Sequence, residues 1–123
     1  MSLRTPLGRV LGLGAAKEGP GHWWSQRISA VALVMLGLWF AASFLRFDSL
    51  EYAVIVRWAS DPINAVLLVL TVATMIYHSM LGLQVVIEDY VSGGLRILTL
   101  VVVNFLHFLL AALGVFAVLR IAF

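Results

Sequence analysis

The sequence predicts an all-α integral membrane protein with three transmembrane helices, and two observations carry that fold class. Hydrophobic residues make up 63% of the 123 positions and charged residues only 11%, whereas a soluble domain carries roughly 25% charged residues. With a mean hydropathy of +1.05, such a chain cannot cover a water-facing surface, so its solvent is lipid. The second observation is three windows that contain no Asp, Glu, Lys or Arg: Ile28 to Leu45, Ile63 to Ile87, and Ile97 to Leu119. A helix needs about 20 apolar residues to cross roughly 30 Å of hydrocarbon. Only helices and closed barrels satisfy their backbone in lipid, and no barrel-type alternation is present.

Taken in order, residues 1–27 read as a cytoplasmic, basic, glycine-rich tail. It holds Arg4, Arg9, Lys17 and Arg27 against a single acid, Glu18. The first apolar run starts too late for a secretory signal, and no small-residue cleavage site follows it. Trp23 and Trp24 come just before the first span, at aromatic-belt depth. Residues 28–123 form the membrane anchor domain, with spans at about 28–46, 63–87 and 97–120. The first span closes with Arg46 or Arg27 snorkelling at an end. The connection SLEYAVIVRWAS mixes apolar and charged residues. It is either a short helix lying on the outer surface or an ordered loop. Five basic residues on the tail and second connection face three on the other side (Arg46, Arg57 and Arg120). That bias places the N-terminus in the cytoplasm and the C-terminus in the periplasm.

The stretch IYHSMLGLQVVIEDYV carries the chemistry. Eleven residues on a helix exceed three full turns by only about 20°. His78 and Asp89 therefore share a face, about 16 Å apart along the axis. Thr71, Thr74 and Gly82 lie on the same face. An ionisable residue in mid-membrane is a functional candidate by default, and haem iron commonly takes an imidazole lone pair. The competing reading is a histidine bonded to a neighbouring helix. Gly82, one turn from His78, admits either a flat ligand or a close helix. His78 and His107 stand symmetrically about the second connection, so antiparallel packing puts them at one depth. Neighbouring helices about 8–10 Å apart leave no room for a macrocycle between them, and His107 reads as structural, with Asn104 and Ser79 for polar company. Asp89 and Tyr90 end the span at the water boundary. They read either as a hydrated acid and a membrane anchor, or as a proton relay and a hydroxyl donor for a quinone carbonyl.

His78-Ser79, Gly82 and Asp89-Tyr90, together with TPLGRVLGLGAAKEG and GHWWSQRISAVALVMLGLWF, resemble the hydrophobic membrane anchor subunits of bacterial succinate dehydrogenase, the succinate–quinone oxidoreductase of respiratory complex II. The resemblance covers essentially the whole chain. It implies that the three helices form half of a haem-binding bundle shared with a partner cytochrome b subunit. His78 would be one axial ligand to the haem b iron, and the partner would supply the other. Tyr90 would bond ubiquinone, Asp89 would support that site, and Arg27 would meet a haem propionate. The chain would act as a subunit of the enzyme that does not bind succinate, docking the flavoprotein and iron–sulfur subunits at the bacterial inner membrane, within the respiratory chain and the tricarboxylic acid cycle.

With no cysteine, this chain cannot ligate an iron–sulfur cluster through thiolates. A net charge of +2 gives no nucleic-acid footprint. Three further readings stay open on the residues alone: the anchor of a related fumarate reductase, a stand-alone b-type membrane cytochrome, and a non-redox assembly or transport protein.

Overall fold

The computed structural model describes residues 19–123, and the tail residues Arg4, Arg9, Lys17 and Glu18 fall outside them. Four helices follow in order: α1 (Gly19–Phe44), α2 (Tyr52–Ala59), α3 (Pro62–Tyr90) and α4 (Gly93–Ala122). Three of them, α1, α3 and α4, are long and apolar enough to cross a membrane. At 1.5 Å per residue they run about 39–45 Å, longer than the hydrocarbon layer.

These helices are longer than the charge-free windows for a physical reason. A helix continues past the bilayer edge as long as its residues tolerate helical geometry, and charge does not stop it. Thus α1 begins at Gly19 and takes in Trp23, Trp24 and Arg27, and α3 runs on through Glu88, Asp89 and Tyr90. The start of α3 is set locally. Pro62 occupies the first turn, and Asp61 Oδ1 accepts from the amides of Ile63 and Asn64 at 3.0 and 3.1 Å. Proline there loses no helical bond and the side-chain cap fills two orphan donors. At the other end Gly93 has φ +65°, a backbone state that glycine adopts without strain. That residue lets the chain reverse between α3 and α4 with only Val91 and Ser92 outside the helices.

The segment around Tyr52–Ala59 is a helix. Its Trp58 stacks on Trp39 of α1, ring centroids 5.6 Å apart, and meets Phe47 at 5.4 Å. Phe40 and Phe44 extend the cluster. Asn64 Nδ2 donates to the Trp58 carbonyl at 3.0 Å, which ties α2 to the start of α3.

The long helices form one row with α3 in the middle. It packs against α1 on one side and α4 on the other, and no close backbone approach joins α1 to α4 among the described residues. No large side chain there is fully buried. The buried residues of the seams are Ser29, Ala65 and His107 together with the larger Leu81 and Ile87 of α3. Ser29 (5% exposed) lies in the α1–α3 seam, and His107 (7% exposed) lies in the α3–α4 seam. Gly114 lies against Val72 so closely that a Cβ on it would sit 2.6 Å from Val72 Cγ1. Close approach through small residues is the usual way helices pair where lipid removes the hydrophobic drive.

Candidate functional site

His78 sits near the middle of α3, about 24 Å from its start and about 18 Å from its end. Its ring lies in the α1–α3 seam. Nδ1 lies 2.9 Å from Ser29 Oγ, and Nε2 lies 3.3 Å from the Gln26 side-chain nitrogen. Ser29 Oγ also donates to the Gln26 carbonyl at 3.0 Å. Gly82, one turn along α3, faces the same Gln26 amide, which a Cβ would meet at 3.5 Å. His78 and Gly82 thus share the face that turns to α1.

From Gln26 a cleft of about 560 Å³ opens toward the end of the row that carries Tyr90, lined by His22, Trp23, Gly82, Gln84 and Glu88. Gln84 donates to Glu88 Oε1 at 2.9 Å along its rim. Two buried polar atoms here, His22 Nε2 and Gln26 Oε1, have no hydrogen-bond partner. A buried polar group left unpaired costs about 1–3 kcal/mol, so polar atoms entering the cleft would find partners there. The groove at the opposite end, between Pro62, Leu70, Leu119 and Phe123, is about 400 Å³ and almost wholly apolar.

The sequence did not single out His22, Gln26 or Ser29. The signal was present: they are spaced i, i+4, i+7 on an otherwise apolar helix, which puts all three on one stripe. The other expected site residues lie further out. Asp89 and Tyr90 are exposed at the end of α3, Tyr90 to 84%. Neither lines the cleft. Arg27 is exposed and its guanidinium lies over the Trp23 ring, 5.3 Å from the centroid. Of the threonines, Thr71 bonds back to the Leu67 carbonyl at 2.7 Å, and Thr74 lines a shallow groove with Ser25, Ser29 and Tyr77.

His107 is satisfied inside the other seam. Its Nδ1–H donates to the Val103 carbonyl at 2.7 Å, and Nε2 accepts from the Ser79 hydroxyl at 3.2 Å. Ser79 is the residue next to His78, so the two histidines do lie at one depth. Both His107 nitrogens are committed, which leaves it a structural part of the seam.

A family model for the succinate dehydrogenase/fumarate reductase transmembrane subunit matches residues 1–117. The chain belongs to that family. It is 40% identical over 89 residues to the succinate dehydrogenase hydrophobic membrane anchor subunit of Rickettsia bellii, covering 72% of this chain and 71% of that one. It is 34% identical over 92 residues to the protein of the same name from Paracoccus denitrificans, covering 75% and 71%. With its three spanning helices, the chain is therefore a multi-pass membrane anchor subunit of succinate dehydrogenase.

Proposed function

We propose that this anchor supplies one axial ligand to a haem b shared with a partner cytochrome b subunit, and part of a ubiquinone-reducing site. The observation that carries the haem reading is His78. Its imidazole sits near the middle of the spanning helix α3, with Nδ1 against Ser29 and Nε2 turned toward Gln26. Of the two histidines inside the helix seams, His78 alone bonds only to side chains that can turn away, because His107 is held by the Val103 carbonyl as well as by Ser79. Among the described residues no three His, Asp or Glu side chains converge. A metal at His78 would therefore arrive with its own donors, as haem iron does. His78, presented by Ser29 and Gly82, would hold that group once the Gln26 amide turned aside from Nε2, and when bound it would supply a one-electron centre.

The chain's own residues then divide the work. Ser29 and Gly82 present the His78 ring. The rim residues Asp89 and Tyr90 lie about 16–18 Å along α3 from His78, at the water boundary. There the Tyr90 phenol donates to a ubiquinone carbonyl. Two electrons delivered by the docked iron–sulfur subunit and two protons convert the quinone to quinol. Asp89 takes protons from water and passes them to the reduced oxygen. Arg27, on the same end of α1, would leave the Trp23 ring to pair with a haem propionate, since a guanidinium pairs well with carboxylates. The flavoprotein and iron–sulfur subunits dock on this end, which the excess of basic residues assigns to the cytoplasmic side of a bacterial inner membrane.

The test is His78→Ala in the complex isolated in mild detergent. The visible spectrum should lose its haem b bands while all three spans still insert. An unaltered haem content and spectrum would remove His78 from the ligand set.

A further inference from the structure

We propose that Ser29 is a positioning residue that sets the tautomer of His78. Its Oγ accepts a hydrogen bond from Nδ1–H of the imidazole and so leaves the lone pair on Nε2, the nitrogen on the Gln26 side. The hydrogen-bond inventory leads there. A serine hydroxyl has one proton, and Ser29 gives it to the Gln26 carbonyl at 3.0 Å, which can only accept. Toward His78 Nδ1, 2.9 Å away, Ser29 is left as an acceptor, so Nδ1 carries the hydrogen. The other side of the ring agrees. The atom 3.3 Å from Nε2 is the Gln26 amide nitrogen, which can only donate, so in this arrangement Nε2 accepts, and its lone pair becomes available to a metal when Gln26 turns aside. Ser29 is 5% exposed.

The opposite arrangement is equally concrete. Rotating the Gln26 amide would put Oε1, now buried without a partner, against Nε2. That nitrogen would then carry the proton. Ser29 would have to turn its hydrogen from the Gln26 carbonyl to Nδ1, and Nε2 would have no lone pair left for a metal. The choice of tautomer thus rests on where Ser29 spends its single proton. A ligand imidazole generally has its far nitrogen donated to a neighbouring acceptor, which fixes ring orientation and raises ligand basicity. A serine already engaged with a helix carbonyl is such an acceptor. The functional meaning rests on His78 as the ligand, but the tautomer is a property of this chain alone.

The experiment therefore has two arms. The first uses the full chain in detergent without haem, with nitrogen-15 in its histidine rings and His78→Ala to assign the signals. One-bond N–H coupling reads which nitrogen is protonated. Wild type should show hydrogen on Nδ1. Ser29→Thr, which keeps the hydroxyl, should show the same, and Ser29→Ala should shift population toward Nε2–H. Hydrogen on Nε2 in wild type, or the same populations in all three proteins, would overturn the proposal. The wild-type measurement needs no variant and so survives misfolding of Ser29→Ala. The second arm compares the purified complexes. Ser29→Ala should keep haem but change the low-spin electron paramagnetic resonance anisotropy, and Ser29→Thr should restore it. An unchanged resonance with haem retained would also count against Ser29. Loss of the ligand reading itself would show separately, as a His78→Ala complex with normal haem.

Discussion

Replacing Gly114 with alanine should loosen the α3–α4 seam by an amount that geometry bounds. The added Cβ would stand 2.6 Å from Val72 Cγ1 and 3.8 Å from the Cβ and Cγ2 of Val72. Carbon atoms in contact prefer about 3.5–4.0 Å, so the two helices must part by roughly 1 Å at this point or Val72 must leave its rotamer. Val72 is β-branched, and in a helix it has one strongly preferred χ1 well, so rotation offers little relief. Overpacking of this kind costs about 1–3 kcal/mol. The stability of the purified chain would be followed by denaturant titration in detergent micelles, with helix content and tryptophan emission as independent probes. Val72→Ala should remove the clash, so Gly114→Ala in that background should cost markedly less than in wild type. Contacting residues show coupling of about 0.5–3 kcal/mol in such a cycle. If Gly114→Ala lies within about 0.5 kcal/mol of wild type, or if the two substitutions add without coupling, the glycine is not what lets these helices approach.

Gly82 should behave differently, because its added Cβ would meet Gln26 at 3.5 Å, an ordinary contact. Gly82→Ala is expected to keep haem content near wild type and Gly82→Leu to lower it severalfold; equal haem in both would mean that nothing flat approaches this helix face. Tyr90→Phe should slow quinone reduction by the complex about tenfold or more while dye reduction by the soluble subunits stays normal, since a lost hydrogen bond to substrate is worth about 0.5–1.5 kcal/mol in a neutral pair and a misplaced carbonyl adds to that. Unchanged quinone turnover would refute the role. Arg27→Ala should speed haem loss on mild heating, read as decay of the Soret band, and wild-type decay would leave Arg27 with its Trp23 partner only.

Much of this was legible in one sequence, and the reasons are physical. The spans announce themselves because lipid tolerates almost no charge between Ile63 and Ile87 or Ile97 and Leu119. The common depth of His78 and His107 follows from their symmetric spacing about a short connection, and Ser79 was legible as a partner of His107 for the same reason. Asn104 was not its partner; the Val103 carbonyl, a backbone group with no sequence signature, took the other nitrogen. The helix ends were obscured because charge marks the bilayer edge and not the end of hydrogen bonding, so Trp23, Trp24 and Arg27 read as tail. Tyr52–Ala59 stayed ambiguous at eight residues, below the length at which periodicity separates helix from loop. The stripe of His22, Gln26 and Ser29 carried no sign of its link to His78, because the partners of His78 come from α1 and the helix pairing is not written in the spacing on α3.

A row of three helices explains why the site looks half built. Lipid can cover the apolar faces of such a row at no penalty, since acyl chains are as apolar as the leucines they touch. It cannot do so for the cleft beside His78. Hydrocarbon offers no donor to Gln26 Oε1, which is buried and unpaired. A buried polar atom left so costs about 1–3 kcal/mol. Among the described residues no third helix packs over the α1–α3 seam, because α4 lies on the far side of α3. The described helices of this chain therefore leave the cleft open on that side, and polar company at the depth of Gln26 is what the proposed partner subunit would supply.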